Sequence, residues 1–422
     1  MPEIKPFRGI LYNPQKVNMN DAVAPPYDVI SPELQNTLYN RSPYNIVRLI
    51  LGREENRYIS ASNYFEEWKR ERILETDQAN SLYLLSQQFT LPDGKRYDRR
   101  GFIAACKLEE YGKGSIFPHE KTYSKPKEDR LHLFQSTHAM FSQIFGLYSD
   151  PKHILDQYLK KNSAPDIETE FEGVQQKVWR INDSLAVAAI AEFIRHQKIL
   201  VADGHHRYET ALLYRDSQRL KNPSHTGKEP YNFVPMFFAN MHDPGLVILP
   251  THRLLHDVGD FNQSDFLDAL NKYFHLDVQA SEEELLHNLA AKKRGAFGLI
   301  FPNLPQYVLV WLRKKTSLKE HNISDINASL DVGILHSFLF WEILHLPEEE
   351  QAKGKHIAYE KDAQHAIDAV KNGKAQMAFI LNPTLIEQVK AVAEAGFTMP
   401  QKSTYFYPKL LSGLVTYSFA QE

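Results

Sequence analysis

The segment from Lys198 to Tyr214, KILVADGHHRYETALLY, predicts a strand, a glycine turn and a helix in direct succession. Ile199–Ala202 is a short apolar run of the kind that forms a buried strand, and it stops at Asp203-Gly204. A helix is expected to begin at once and to run to about Leu220. Strands joined to helices in this way build folds that layer helices on sheets, so the chain is predicted to be α/β (mixed α+β).

The first turn of this helix has the chemistry of a phosphate site. A helix N-terminus carries a partial positive charge and backbone N–H groups that suit an anion. Gly204 lets a ligand approach the backbone closely, and Arg207 can bind two phosphate oxygens with its planar guanidinium. His205 and His206 can donate hydrogen bonds or transfer protons near neutral pH. Neighbouring helical side chains diverge by about 100°, so the two histidines are not expected to share a metal ion, and no metal ligands are predicted.

Asp203 stands immediately before the helix, and three roles are open to it. It can cap the helix, bind Mg²⁺ or act as a general base. In the simplest alternative Asp203 is only a cap, and the histidines are half-buried polar residues without a ligand. A lone histidine would favour that alternative. Here several special residues crowd one junction, which favours the functional interpretation and makes Asp203 and His205 candidate catalytic residues.

Composition limits the class of protein. The chain has 422 residues, 43% of them hydrophobic, which is enough for two or three domains with sizeable cores. With 49 Lys and Arg against 52 Asp and Glu, the formal charge of −3 gives no long-range attraction to nucleic acid or to an anionic membrane. The single cysteine, Cys106, excludes an internal disulfide. The N-terminus resembles no signal peptide and no apolar run is long enough to span a membrane, so a cytoplasmic enzyme is expected.

Two domains are predicted, at 1–256 and 257–422. In the first, Arg57–Leu74 and Leu185–His196 have helical spacing, whereas Ser81–Thr90 and Arg100–Lys107 predict a hairpin. After about residue 256, helical and strand patterns alternate, which predicts a second α/β domain at the C-terminus. Its predicted helices are Asp265–Tyr273, Glu282–Lys292, Asp362–Asn372 and Pro383–Gly396, and its predicted strands are Ala296–Phe301, Tyr307–Leu312 and Gln376–Leu381.

The stretch Pro118–Arg130 is too polar to form much core, yet it is dense in ionisable groups. Glu120 could accept the proton of a substrate hydroxyl, which makes it a third catalytic candidate. His119, Lys121 and Arg130 are candidates for binding phosphate, because cations can neutralise its developing charge. The alternative is a solvated loop with local ion pairs worth about 0–1 kcal/mol each.

Three polar residues, Thr251, His252 and Arg253, follow an apolar strand predicted at Leu246–Leu249. Their side chains are therefore expected at a strand end, where ligands of α/β layers bind. A strand-terminating turn with a surface arginine is an equally good interpretation. Lys402 stands in a sequence that resembles the end of a phosphate loop without the glycines that precede one, and it is a further phosphate-binding candidate.

The string Asp203-Gly204-His205-His206-Arg207 resembles the nucleotide-binding box of the ParB/sulfiredoxin superfamily, which includes ParB-type CTP-binding switches and ADP-dependent free-serine kinases. The resemblance implies a ParB/sulfiredoxin-like nucleotide-binding core in which Gly204, His206 and Arg207 hold nucleotide phosphates. In the kinase branch the aspartate before the glycine is functional, which corresponds to Asp203. Sulfiredoxin has a catalytic cysteine where this chain has His205, so sulfinic-acid reduction by that mechanism is excluded.

A second resemblance covers nearly the whole chain. Several blocks occur in the order found in a bacterial family catalogued only as domain of unknown function 1015. These blocks are APPYDVIS (Ala24–Ser31), FPHEKT (Phe117–Thr122), KEDR (Lys127–Arg130), ADGHHRYETA (Ala202–Ala211), ILPTHRL (Ile248–Leu254) and MPQKSTYFYPKLLSGLV (Met399–Val415). The family's label records no activity, so this resemblance identifies relatives without deciding a reaction.

The leading hypothesis is a nucleotide-dependent, kinase-like phosphotransferase that acts on a small polar metabolite with a hydroxyl group. Free serine is the favoured example, by resemblance alone. ATP or ADP is the expected nucleotide, with CTP a further candidate, and Mg²⁺ would bridge its phosphates to a carboxylate. The first alternative is a nucleotide-binding regulatory switch with little or no catalysis, and a weaker one is a metal-dependent hydrolase. The apolar segment Ile334–Leu346 fits a core or an interface between identical chains equally well.

Overall fold

The structure is a computed structural model that describes residues 1–120, 122, 124–259, 261–292, 294–321, 323–347, 350–351 and 355–420. The chain forms two compact units. The first consists of Met1–Pro118, Thr122–Val247 and the chain from Pro408 onward, and the second of Ile248–Tyr407 together with His119 and Glu120. The boundary expected at 256/257 stays a prediction; the compact units divide after Val247 and again before Pro408. A segment that returns to an earlier unit leaves no mark on local hydrophobic patterns.

The strands are β1 (Ile4–Lys5), β2 (Ile10–Tyr12), β3 (Leu74–Thr76), β4 (Leu82–Thr90), β5 (Arg96–Lys107), β6 (Ile116–Phe117), β7 (Ala139–Met140), β8 (Ile144–Tyr148), β9 (Ile167–Phe171), β10 (Val174–Ile181), β11 (Ile199–Asp203), β12 (Phe233–Asn240), β13 (Val247–Leu249), β14 (His252–Leu255), β15 (Phe274–Val278), β16 (Ala296–Ile300), β17 (Tyr307–Leu312), β18 (Ile357–Glu360), β19 (Met377–Ile380), β20 (Tyr405–Tyr407) and β21 (Tyr417–Ser418).

The helices are α1 (Met19–Ala22), α2 (Pro32–Arg41), α3 (Val47–Ile50), α4 (Arg57–Arg70), α5 (Ser124–Thr137), α6 (Ser184–Arg195), α7 (His205–Lys221), α8 (Gln263–Asn271), α9 (Glu282–Ala290), α10 (Asp325–Ala328), α11 (Asp331–Ile334), α12 (Ala363–Lys371) and α13 (Ile386–Glu394). A π-helix spans Leu335–Ile343, and short 3₁₀ turns lie at Tyr27–Val29, Ile154–Gln157, Pro230–Asn232 and Leu318–His321. The mixed α+β fold class predicted from the sequence is confirmed.

The first unit is built on a sheet with the order β6-β11-β8-β12-β5-β4-β10-β9, in which β1 also pairs with β5. Within it, β11 runs parallel to β6 and β12 runs parallel to β8. Every residue of β8 and β12 is buried, which explains the apolar run FVPMFFAN in Phe233–Asn240. The helix α7 follows directly on β11 and packs against α5. The sheet therefore fixes the end of β11, and with it the start of α7.

The second unit is built on a sheet with the order β15-β17-β16-β19-β14-β18. The strand pairs recorded in the described ranges of this sheet are antiparallel. Its core cluster includes Leu285, Leu289, Ala296, Ile300, Leu309, Ile367, Val370 and Ile380. The alternating helices and strands predicted after residue 256 are thus present, and α9 and α12 contribute their apolar sides to this core.

Two local expectations are corrected. The polar stretch Pro118–Arg130 is in part helical, because α5 begins at Ser124. The strand predicted at Leu246–Leu249 is present as β13, but the residues after it do not emerge at a strand end: His252 opens the next strand, β14, and Thr251, His252 and Arg253 are all buried. None of the helices in the described ranges is both long and apolar enough to cross a membrane.

Candidate functional site

The strand–glycine–helix junction forms as the sequence predicts, with one change at the helix cap. β11 ends at Asp203, Gly204 is the N-cap, and α7 starts at His205, so Asp203 does not cap the helix. Gly204 has a φ of 91°, a conformation that disfavours residues with a side chain. A Cβ atom built there would lie 3.1 Å from Arg207 Nη2, so the absence of a side chain lets the guanidinium lie against the turn.

Asp203 is held between two cations. Arg207 donates from Nη2 to Asp203 Oδ2 at 2.7 Å, and Lys409 Nζ lies 2.5 Å from Asp203 Oδ1. Burial opposes ionisation of this carboxyl, but the charges of Lys409 and Arg207 outweigh it and hold its pKa below the ordinary value. Asp203 is therefore a carboxylate at neutral pH with both oxygens in ion pairs.

Arg207 is 5% exposed and firmly positioned. Its Nη1 donates to the Gln143 carbonyl at 2.6 Å, while Nη2 binds Asp203. His205 is also buried, and His206 is partly exposed. The structure thus brings the catalytic candidates Asp203 and His205 and the three phosphate-binding candidates of the helix start into one turn, although Arg207 already contacts two protein oxygens there.

Lys409 was not identified from the sequence, although it lies within the block Met399–Val415. A buried polar network holds its backbone. Arg99, with no exposed surface, donates from Nη2 to the Pro408 carbonyl and from Nε to Gln87 Oε1 at 3.0 Å. Gln87 in turn donates from Nε2 to the Lys409 carbonyl at 3.3 Å. Two consecutive carbonyls are thus fixed, which directs the lysine towards Asp203.

Arg130, another phosphate-binding candidate, also belongs to the first unit. Its guanidinium binds Asp129 Oδ2 and donates from Nη1 to the Ile50 carbonyl at 2.8 Å. The guanidinium carbon lies 4.0 Å from the centre of the Tyr27 ring. Burial and then Asp28 raise the pKa of Tyr27 to about 12, while Arg130 and Arg207 act in the opposite direction.

Tyr27 therefore lies in the electrostatic field of both arginines, so the structure brings the block APPYDVIS close to Arg130 and Arg207. The neighbouring Asp28 is exposed. The signal in the sequence for the proximity of Tyr27 to Arg130 is that both occur in blocks of the same family.

The remaining candidates belong to the second unit. His119 is fully buried, and its Nε2 lies 2.9 Å from Thr404 Oγ1. Glu120 accepts a hydrogen bond from the Ser403 backbone N–H at 3.3 Å. Lys121 lies outside the described residues.

Arg253 and His252 are both buried in the second unit. Arg253 donates from Nη2 to the Lys402 carbonyl at 3.1 Å and from Nη1 to the Thr251 carbonyl. Burial and the charge of Arg253 lower the pKa of His252 to about 4, and its Nδ1 accepts the Leu381 N–H at 3.1 Å. His252 is therefore neutral at physiological pH and serves as a hydrogen-bond acceptor.

The arrangement does not fit Mg²⁺ bound through Asp203. Each oxygen of Asp203 already faces a cation, and Asp129 is similarly engaged by Arg57, Tyr58 and Arg130. Within the described ranges, no three His, Cys, Asp or Glu side chains are arranged to hold a metal ion. No reaction step is therefore assigned to magnesium at this carboxylate.

Comparisons with known proteins confirm one expectation about relatives. A family model described as "Protein of unknown function (DUF1015)" matches residues 4–333. No curated protein matches the chain. The resemblance of the helix start to the ParB/sulfiredoxin box stays a prediction.

Several solved structures are similar to this chain at low identity. A conserved hypothetical protein from Pyrococcus furiosus is 13% identical, with 70% of this chain and 90% of that chain covered and a TM-score of 0.34. A free serine kinase in complex with AMP is 13% identical, with 69% and 83% covered and a TM-score of 0.35. SbnI with a C-terminal truncation, from Staphylococcus aureus, is 10% identical, with 74% and 86% covered and a TM-score of 0.36.

Proposed function

The chain belongs to the DUF1015 family of proteins of unknown function, so we propose its function from the site itself. The start of α7 binds the phosphates of a nucleotide, and the protein transfers a phosphoryl group to a small metabolite with a hydroxyl group. The observation that carries this proposal is the placement of Asp203 between Arg207 and Lys409 at the N-terminus of a helix.

Charge supports the binding of a polyanion at this turn. One carboxylate between two cations leaves a net positive charge, and the helix N-terminus adds to it. The side chains of Lys409 and Arg207 are mostly buried, so both cations act from a poorly hydrated environment where electrostatic interactions are stronger than in water. Gly204 leaves the backbone of the turn unobstructed by a side chain of its own, which favours close approach of a phosphate.

The chemistry needs positioning more than covalent participation. A hydroxyl oxygen of the acceptor attacks the transferred phosphorus, the bond to the leaving phosphate oxygen breaks, and the hydroxyl proton passes to a carboxylate. Asp203 is the acceptor of that proton in the first unit, once the incoming phosphates draw Lys409 and Arg207 towards themselves. The same two cations then neutralise the charge that develops on the transferred group.

ATP or ADP is the proposed nucleotide, with CTP as the next to test. Free serine is the first acceptor to test, and it rests on the resemblance of Asp203–Arg207 to the free-serine-kinase box. We place the activity in the cytoplasm, where nucleotides are abundant and Cys106 stays reduced.

The test measures nucleotide binding and phosphoryl transfer on wild type and two matched variants. Arg207→Lys removes the planar fork but keeps the charge. Arg215→Lys is the control, because Arg215 lies on the same helix, is equally buried, and likewise contacts a carbonyl (Leu108) and a carboxylate (Asp216). Melting temperatures are recorded with ATP, ADP, CTP and GTP, each with and without Mg²⁺, since a ligand of the native state raises the midpoint.

We expect a nucleotide-dependent shift that falls in Arg207→Lys and persists in Arg215→Lys, together with formation of a phosphorylated acceptor. Binding without transfer to any hydroxyl compound would favour the regulatory switch over the enzyme. Absence of a shift with every nucleotide would refute both.

A further inference from the structure

Arg253 in the second unit is a buried charge without a counter-ion among the residues that the structure describes. It has no exposed surface, and in the described ranges no carboxylate forms an ion pair with it. Its guanidinium contacts the carbonyls of Thr251 and Lys402, and Nε donates to His336 Nε2 at 3.3 Å. Burial of a cation that is not paired costs free energy, and here it lowers the pKa of Arg253 to about 10.

The groups that face Arg253 do not supply the missing negative charge. Burial and the charge of Arg253 lower the pKa of His336 to about 3 and that of His252 to about 4, so both imidazoles are neutral at pH 7. Tyr359 presents its ring, with the guanidinium carbon 4.9 Å from the ring centre. The charge of Glu120 acts on Arg253 only from beyond ion-pair distance. Of the five N–H groups of the guanidinium, these contacts use three.

Thr251 provides a second unsatisfied group at the same place. It is 8% exposed, and its Oγ1 is buried without a hydrogen-bond partner in the part of the chain that the structure describes. Arg253 Nη1 donates to the Thr251 carbonyl, so the guanidinium lies beside this residue. Buried polar atoms in proteins are nearly always paired, so a hydroxyl without a hydrogen bond and a guanidinium without a counter-ion, both judged over the described residues, call for a ligand.

We propose that the second unit binds a small metabolite through one oxyanion group, a carboxylate or a phosphate, held by the remaining guanidinium N–H groups of Arg253 and the hydroxyl of Thr251. Such a group provides the counter-ion and accepts the hydroxyl proton of Thr251, and the planar fork of arginine matches both oxyanions. Because Arg253 is fully buried, the ligand must displace one of the carbonyls that Arg253 now contacts. The Lys402 carbonyl, which lies 3.1 Å from Arg253 Nη2, is the one expected to be displaced.

The experiment titrates the whole protein with inorganic phosphate and with acetate, against sodium chloride at equal ionic strength, and follows binding by calorimetry and by the melting temperature. Thr251→Val removes the hydroxyl and keeps the shape. Thr384→Val is the control, because Thr384 belongs to the same unit and is equally buried, but its Oγ1 donates to the Ser403 carbonyl at 2.8 Å. Comparing the two anions identifies which oxyanion is bound.

Loss of a hydrogen bond to a charged group should weaken binding of the anion about tenfold in Thr251→Val and leave it unchanged in Thr384→Val. Without anion, Thr384→Val should melt at a lower temperature than wild type, whereas Thr251→Val should not. The proposal is overturned if neither anion binds, if Thr251→Val binds as wild type does, or if Thr251→Val is destabilised as much as Thr384→Val. Thr251→Val should weaken anion binding by the same factor in the Arg207→Lys background as in wild type, so failure of the nucleotide proposal and failure of this one are distinguishable.

Discussion

Lys409 Nζ and Asp203 Oδ1 meet at 2.5 Å although 206 positions separate the two residues in the sequence. The pair joins the end of β11 to the segment through which the chain returns to the first unit. A residue close to the C-terminus therefore sets the charge at the start of α7.

Replacing Lys409 with Met should weaken nucleotide binding at least tenfold, because it removes one of the two cations that flank Asp203. The dissociation constant, measured by calorimetry, checks this. Lys107→Met serves as the control, since Lys107 also forms a lysine–carboxylate pair in the first unit, with Glu3 at 2.6 Å, but is 40% exposed. Equal affinity in wild type and Lys409→Met would show that the lysine only stabilises the fold.

Asp203→Asn should lower the free energy of unfolding at pH 7 by about 1–3 kcal/mol, between the values of surface and buried pairs. The pKa of this carboxyl is lower in the folded state than in the unfolded state, so its contribution is present above about pH 4 and is lost as the pH falls further. Urea unfolding between pH 7 and pH 3 should therefore show the difference between wild type and variant narrowing below pH 4. A difference that stays constant over this range would contradict the ion pairs.

Gly204→Ala should destabilise the protein more than Gly227→Ala does. Both glycines have positive φ, 91° and 85°, so both substitutions carry the backbone cost of about 1 kcal/mol. Only at Gly204 would the new Cβ meet the guanidinium of Arg207, whereas open space surrounds Gly227. Chemical unfolding gives the free energy of unfolding of each variant. Equal losses of stability in the two variants would mean that Arg207 moves aside without cost.

Arg99→Lys should lower the free energy of unfolding by about 2 kcal/mol or more and should also weaken nucleotide binding. A lysine ammonium cannot bond Gln87 and the Pro408 carbonyl in the geometry of the guanidinium, so the backbone that carries Lys409 loosens. Arg100→Lys is the control, because the neighbouring arginine is 41% exposed and pairs with Asp98; it should change stability by less than about 0.5 kcal/mol. If Arg99→Lys is destabilised but binds the nucleotide with normal affinity, then Arg99 stabilises the fold without positioning Lys409.

His252→Asn should flatten the dependence of stability on pH between about 4 and 6.5. The pKa of His252 is lowered to about 4 by burial and Arg253, so protonation below pH 6.5 favours the unfolded chain, at a cost of up to about 3 kcal/mol once the pH reaches 4. Asn keeps an acceptor for the Leu381 N–H and does not titrate. Unfolding curves across this range test the effect, with the exposed His365→Asn as the variant that should change nothing.

Elements with a strong local period could be predicted from the sequence. The helix expected at Arg57–Leu74 is α4 at Arg57–Arg70, and the strand expected at Ile199–Ala202 is β11. The apolar residues of these segments follow the helical or strand repeat, and the fold buries the side on which they lie.

The polar stretch Pro118–Arg130 could not be predicted in the same way, because its partners are distant in sequence. Lys127 pairs with Glu209 of α7 at 2.8 Å, and Arg130 stacks on Tyr27. Neither contact appears in a local hydrophobic pattern, so the helix α5 carried no strong signal.

The candidate site could likewise be predicted only where its residues are neighbours in the sequence. Asp203, Gly204 and Arg207 are neighbours in sequence, and the junction brings them together. Lys409 depends on a long-range contact, and the sequence drew attention instead to Lys402, whose surroundings resemble a phosphate loop. Which of two lysines reaches a carboxylate is decided by how the chain returns to the sheet, and that information is not local.

The return of the chain at Pro408 also orders events during synthesis. The ribosome completes every strand of the central sheet by Asn240, then makes the second unit, and only afterwards produces Lys409. Before Lys409 is made, Asp203 lacks the second of the two cations that flank it in the complete chain. The charge proposed to attract a nucleotide is thus complete only when the last segment of the chain has joined the first unit.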